Sequence, residues 1–452
     1  MSDAIYPLVD HLFRHSAGRM VARLTSILGS EHLSLAEEVV QDALVSALQQ
    51  WSFRGVPDDP TAWLFHVARN KAIDQLRRSA TLREKEPQIV AVLSDTCPAD
   101  ESGFAHELAD DELRMMLMCC HPAIPEEGRI ALTLKTVCAF SVDEIARAFL
   151  SRNDTIAQRI VRAKRLIREE RIAMSMPSRD ELPARRESLL KVLYLMFNEG
   201  YSAHTGEDLV RSDLCAEAVR LARAVAEHPV ASSPEAHALL ALMLLQSARL
   251  PARIDSGGEL IVLAEQDRSK WDRPMIADGM QHLDLSASGD VVTRYHTEAA
   301  IAACHATAPS FDETDWRSVV ELYDELLATN PSPVVALNRA IALAMADGPA
   351  AGVAAVEEIA DSLHNYLPLA TTLGELSLRA GDRVRAAEYF TRGSSCHRRR
   401  RRSASCCASS NSAAITDTHA RMRAYTLILP NVDGVAAQGG RLLCLSSSAL
   451  AR

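Results

Sequence analysis

The feature that most constrains the fold lies between Ser141 and Arg171, SVDEIARAFLSRNDTIAQRIVRAKRLIREER, where two short amphipathic helices of different character follow each other across a tight turn. Ser141 and Glu144 have the spacing of a capping box, which starts a helix by satisfying its first free N–H groups. Val142, Ile145, Ala146 and Phe149 then fall at i, i+3, i+4 and i+7 and form one apolar stripe. The turn SRND offers Asn153 or Asp154 as the cap of a second helix. That helix has its apolar stripe at Ile156, Ile160, Ala163 and Ile167, whereas Thr155, Gln158, Arg159, Arg162 and Arg165 share another face. A short capped helix behind a basic helix with a polar outer face is how a helix-turn-helix presents its reader to the major groove. Gln and Arg pair with base edges there, and the outer basic residues hold phosphates. An ordinary amphipathic pair with a solvated charged face has the same local pattern, so the rest of the chain must decide between the two.

Charge narrows the choice. A net charge of −10 over 452 residues argues against indiscriminate coating of nucleic acid, so any contact must come from local basic faces. The charge is uneven: residues 94–113 contain seven acids and no Lys or Arg, whereas 152–171 contains seven bases and three acids. Scarce aromatics among abundant Ala and Leu predict an all-α chain. No apolar run approaches the roughly 20 residues needed to span a bilayer, and MSDAIYPLVDHLFRH lacks the regions of a secretory signal. The ten cysteines show no CxxC pair, which predicts reduced thiols in the cytoplasm. Cys119-Cys120-His121 reads either as a metal-binding triplet or as small buried residues at a helix end. Phosphate-loop, nucleophile-elbow and zinc-protease motifs are missing from the sequence, so neither an enzyme nor a cofactor is expected.

Residues 1–50 read as two helices. Leu8, Leu12, Phe13, Met20, Leu24 and Ile27/Leu28 form the first stripe, which Gly29-Ser30 ends. The second helix, LSLAEEVVQDALVSALQQW, buries Leu35, Val39, Ala43 and Leu44 and turns Glu37, Glu38, Gln41 and Asp42 to solvent. That acidic face is either merely solvated or docks on a basic partner. After the loop SFRGVPDDPT, Asp59-Pro60 starts a third helix, WLFHVARNKAIDQLRR. Trp63, His66, Asn70, Asp74 and Arg77 share one of its faces, beside Arg69, Lys71 and Arg78. An aromatic, an amide, a carboxylate and an arginine together suit single-stranded nucleic acid, whose bases stack and hydrogen-bond. The competing reading makes Trp63 core and the rest a solvated face.

At this point the chain resembles a known family. EEVVQDALVSALQQW, a proline-containing loop and AWLFHVARNKAIDQLRR are similar to the domain of extracytoplasmic-function (ECF) sigma factors that binds RNA polymerase core and opens the −10 element. PEEGRIALTLKTVCAFSVDEIARAFLSRNDTIAQRIVRAKRLIREE is similar to their second domain, a helix-turn-helix that reads the −35 element as duplex. The resemblance covers roughly residues 5–172 in the family's order. It implies that Glu38, Gln41, Asp42 and Leu44 grip the β′ clamp helices of polymerase. It assigns Phe53 and the loop to Thr61 to capture of a flipped −10 base, and Trp63, Arg69, Asn70, Asp74 and Arg77 to the helix beneath. It assigns Asn153, Asp154, Thr155, Gln158, Arg159 and Arg162 to −35 reading, beside Arg165 on the same face. Many relatives carry Pro-Glu-Gly where this chain has Arg152-Asn153-Asp154, so the particular −35 sequence does not carry over.

The expected organisation is a core-binding and −10 domain over 1–80, an acidic linker over 81–112 and the helix-turn-helix over 113–172. A linker follows over 173–185, then a helical-repeat domain over 186–393 and a low-complexity tail over 394–452 that is expected to be disordered. LYLMFNEGYSA, EAHALLALMLLQSARLPAR and EQDRSKWDRPMIADG resemble the tetratricopeptide-like (TPR-like) extension of a sigma-factor subgroup. That resemblance implies an activity-modulating extension, promoter DNA and polymerase as partners, and a small DGPF (YCII-related) protein as a further one. Independently, the stretches from Pro333 and from Leu367 align at a period of about 34, each a helix, an A-D-G or A-G-D turn and a second helix. The polar run 265–273 reads either as a partner or intramolecular contact or as a solvated loop. Two other functions compete with a sigma factor: a helix-turn-helix regulator acting on duplex DNA without polymerase, and a TPR scaffold protein.

Overall fold

The computed structural model describes residues 2–78, 101–149, 151–201, 211–255, 260–363 and 366–402. The expectations placed on 81–100 and 403–452, on Arg78's side chain and on those of Leu8 and Phe13 lie outside the described residues. The architecture is all-α. The described residues divide into two units, 2–199 with Glu227–Ala231, and the remainder of them.

In the first unit, α1 spans Ser2–Leu28, α2 Leu33–Arg54 and α3 Pro60–Arg78. Leu12, Met20, Leu24 and Leu28 bury the α1 stripe as its spacing predicts. Asp59 caps α3 by accepting a hydrogen bond from Ala62 N at 2.9 Å, with Pro60 as the first helical residue. Helix α4 spans Glu101–Cys119, so it begins inside the stretch expected to be a linker. Its acids are not all solvated: Asp111 and Glu112 are each 1% exposed. Arg23 reaches Asp111 at 3.0 Å and Arg19 reaches Glu112 at 3.2 Å, which fixes α4 on α1. Removing one partner of such a pair leaves an uncompensated buried charge and costs roughly 3–5 kcal/mol.

The helix-turn-helix comprises α5 (Glu126–Thr136), α6 (Val142–Ala148) and α7 (Asn153–Glu169). The capping box forms: Ser141 N donates to Glu144 Oε2 at 2.8 Å and Glu144 N to Ser141 Oγ at 3.1 Å. The expected cap of α7 does not. Arg152 occupies the N-cap position without a side-chain cap, and Asn153 donates to Asp143 Oδ1 at 3.1 Å instead, bracing α7 against α6. Gly18 brings α1 against the end of α5, since a Cβ there would lie 1.8 Å from the Val137 carbonyl oxygen. Helix α8 spans Leu182–Tyr201 and starts before the expected end of the linker. Through Glu199 it belongs to this unit: Arg129 donates to Ser188 Oγ at 2.8 Å and Lys191 pairs with Glu126 at 3.0 Å.

The second unit continues with α9 (Ser212–Ala226), α10 (Pro234–Ser247), α11 (Arg273–Ser286), α12 (Arg294–Thr307) and α13 (Trp316–Thr329). Helix α10 is apolar on all sides and correspondingly enclosed. Two helical pairs follow, α14 (Pro333–Asp347) with α15 (Pro349–Ile359) and α16 (Leu367–Arg379) with α17 (Arg383–Arg402), at the expected period. Gly348 and Gly381 make the equivalent turns at φ 98° and 84°, a region open to glycine. Val334, Leu337, Ala340, Val356, Leu369 and Leu373 form the shared core of the pairs. Helix α17 continues to Arg402, so the expected tail boundary at 394 falls within a helix.

Candidate nucleic-acid and polymerase interfaces

The last turn of α2, just before the loop to α3, presents Phe53, which is 90% exposed although it is large and apolar. Behind it, Trp51 is buried and packs its ring at 5.3 Å and 60° against that of the half-buried Trp63. Along α3 the side chains of His66, Asn70, Asp74 and Arg77 are all exposed, as the helical spacing predicts. Asn70 Nδ2 lies 3.3 Å from His66 Nδ1, and Arg69 Nη2 donates to Asn70 Oδ1 at 3.5 Å, a weak bond. Thr61 is half-buried in the first turn of α3. Phe53 and Asn70 are therefore accessible, and the Trp51–Trp63 ring contact joins the helices on either side of the loop.

The acidic face of α2 is more divided than its sequence suggests. Glu38, Gln41 and Asp42 are exposed, and Leu44 is buried, 6% exposed, where it packs in the core and is not offered to a partner. Gln75 donates to Glu38 at 3.2 Å and Lys71 lies 3.7 Å from Asp42, so α3 braces the outer face. Glu37 departs furthest from its expected solvent-facing position. Its carboxylate accepts from Thr136 Oγ1 at 3.0 Å and forms an ion pair with Lys164, the two side chains being 16% and 20% exposed. This contact joins α2 to both α5 and α7.

On α7, Ile156, Ile160, Ala163 and Ile167 are buried as the stripe predicts. Asn153, Asp154, Gln158, Arg162 and Arg165 are exposed, and Thr155 and Arg159 are half-buried. Asp154 lies 3.5 Å from Arg152 and Arg165 lies 3.6 Å from Glu169, both as exposed pairs of small energetic weight. Sequence reasoning missed Val161, which is 65% exposed on the face between Gln158 and Arg165. Its signal was available: a β-branched residue three places from Gln158 and off the buried stripe. Cys119 and Cys120 are wholly buried, and burial pushes the Cys120 thiol up to about 12, which makes neither a ready thiolate donor. The polar run 265–273 is not a simple solvated loop, because Trp271 within it is buried between Arg249 and Arg268, whose Cζ atoms lie 5.6 and 4.5 Å from its ring centroid.

Comparison with known proteins bears on this arrangement. The Sigma-70 region 2 family matches residues 12–81, which cover most of α1 and all of α2 and α3. A family of unknown function (DUF6596) matches residues 185–287. An uncharacterized protein of Rhizobium meliloti (strain 1021) is 39% identical over 364 residues, covering 80% of this chain and 86% of that protein. A probable ECF RNA polymerase sigma factor, SigI of Mycobacterium tuberculosis (strain ATCC 25618 / H37Rv), is 29% identical over 150 residues, 32% of this chain and 49% of its own length. The ECF RNA polymerase sigma factor SigE of Mycolicibacterium smegmatis is 26% identical over 171 residues, 37% of this chain and 62% of that one. No solved structure matches the chain. Among the described residues no helix is long and apolar enough to cross a membrane. With region 2 recognised across the helices that present Phe53 and Asn70, and sigma factors among its relatives, the chain belongs to the extracytoplasmic-function group of the sigma-70 family, here with a helical C-terminal extension.

Proposed function

We propose that the protein binds RNA polymerase core, reads a −35 element as duplex through α7 and holds an unstacked −10 base at Phe53 and the loop that follows it. The observation that carries this reading is the pairing of two differently built surfaces in one unit. One combines an exposed aromatic at the end of α2 with exposed amide and basic groups along α3, suited to melted strand. The other is a capped helix pair with Gln158, Arg162 and Arg165 outward, suited to the major groove. Unstacking a base costs a few kcal/mol, which the pocket and polymerase together offset. Glu38, Gln41 and Asp42 supply the acidic patch for the clamp helices, and Leu44 acts only as core beneath them. Run-off transcription with purified core polymerase on a library of promoter variants tests this. Promoter-selective transcripts that vanish when Phe53 or Arg162 becomes alanine support it, and a chain without affinity for core polymerase overturns it.

The C-terminal extension modulates this activity, through contact with the DNA-facing helices or with a small partner such as a DGPF-type protein. The length of the second unit and the repeated helical pairs of α14–α17 support this role. A truncation that tests it must end after Tyr201, because α8 contributes Leu189, Leu190, Leu193 and Phe197 to buried positions. Unchanged activity and polymerase affinity after that truncation remove the proposal.

A further inference from the structure

Within the second unit, the segment between α10 and α12 encloses Arg249 and Arg268, which among the described residues have no matching carboxylate. Arg249 is 4% exposed; its Nε donates to Gln266 Oε1 at 3.3 Å, and among the described residues its Nη1 has no acceptor. Arg268 reaches in from the surface. Its Nη1 donates to the His305 and Ala308 carbonyls at 2.7 and 2.6 Å, at the C-terminal end of α12, and among the described residues its buried Nη2 has no acceptor. Trp271 is 3% exposed, and its Nε1 is equally without a partner. His305 is 3% exposed with an unpartnered Nδ1.

The electrostatics agree with the inventory. Burial pulls the Arg249 guanidinium below its ordinary value, with Tyr201 acting against that and the charge of Arg253 adding to it. Burial, reinforced by Arg249 and Arg268, holds His305 down to about 3, so it is neutral. Buried donors are normally satisfied, and a buried cation is normally paired. The indole of Trp271 faces both guanidiniums, yet a ring face replaces only part of what a carboxylate would supply. Orphaned N–H groups from two arginines and an indole, gathered around one ring, are the donor set that oxyanions select.

We propose that Arg249, Arg268 and Trp271 form a binding site for a small oxyanion, the phosphate or carboxylate group of a low-molecular-weight ligand. A side chain of a partner protein fits less well, because Arg249, Trp271 and His305 are almost wholly enclosed and only the half-buried Arg268 offers an approach. The site is independent of the promoter-binding role and stands or falls without it.

The test titrates the full-length chain with inorganic phosphate and, separately, with acetate. Calorimetry and thermal unfolding are read against sodium chloride at matched ionic strength. Saturable heat and a saturable rise in Tm with either anion are expected. Phosphate alone points to a phosphorylated ligand and acetate alone to a carboxylate. Arg268→Gln, at the rim, is expected to weaken binding at least tenfold while the chain stays folded, and Arg249→Gln to do the same. Should Arg249→Gln fail to fold, the wild-type titration and Arg268→Gln still decide. Absence of saturable binding by both anions overturns the proposal, and so does binding that neither substitution weakens.

Discussion

Replacing Glu37 tests how the two DNA-facing modules are held together. Its carboxylate joins α2 to Lys164 on α7 and to Thr136 on α5, with both members of the ion pair mostly enclosed at 16% and 20% exposure. Exposed pairs contribute about 0–1 kcal/mol, and breaking a fully buried one costs about 3–5 kcal/mol. This pair lies between, and Glu37→Ala also strips the Thr136 hydroxyl of its acceptor, so a loss of about 2 kcal/mol is expected. Because about 1.4 kcal/mol is a factor of ten, amide exchange in the α7 segment should accelerate about 30-fold where it proceeds by opening of this contact. Hydrogen exchange read by mass spectrometry on the full chain resolves α7 from the second unit, which a global melt does not. Asp154→Asn serves as control, since both it and its partner Arg152 are exposed. The charge swap Glu37→Lys with Lys164→Glu should recover part of the protection. If α7 exchange is unchanged in Glu37→Ala, the contact contributes nothing and the reasoning from enclosure is refuted.

Gly18→Ala should destabilise the first unit by about 1–3 kcal/mol or more, because the new methyl meets backbone atoms of Val137 that cannot rotate away, and a lowered Tm checks it. Phe53→Ala should leave stability within about 0.5 kcal/mol, since the ring is exposed, yet abolish promoter opening in a transcription assay. Arg162→Ala should weaken −35 duplex binding by about 1–3 kcal/mol if it contacts a base edge, measured by fluorescence anisotropy. His305 is a base whose folded pKa, about 3, lies below its unfolded value. The unfolded chain therefore binds the extra proton first as pH falls, so the stabilisation is complete above about pH 6.5 and erodes below it. Between pH 6.5 and 5, denaturation in chloride buffer should show about 2 kcal/mol of loss from this group, absent in His305→Gln.

What the sequence made legible were features decided within a few residues. The capping box at Ser141 and Glu144, the Asp59-Pro60 start of α3, the buried stripes of α1 and α7 and the paired helices after Pro333 all follow from local spacing. The exposed row His66, Asn70, Asp74 and Arg77 followed in the same way. Illegible features were those in which a charge finds its partner across long stretches of chain. Glu37 meets a lysine 127 residues away, and Asp111 meets Arg23 at a separation of 88. Periodicity assigns such carboxylates to solvent, because it records which face a residue occupies and not what later packs there. The capping of α7 failed for a related reason: Asn153 had a competing acceptor in Asp143, on the preceding helix. The run holding Arg268 and Trp271 stayed open between a contact and a solvated loop because 3₁₀ turns, not a periodic helix, position it.

The most direct test of the central claim places 2-aminopurine in the −10 element of a promoter the protein recognises and follows its fluorescence. The account predicts a rise only when the chain and core polymerase are both present, lost with Phe53→Ala. A chain that leaves the signal flat with core polymerase on every promoter tested, or that raises it equally without the polymerase, contradicts the account.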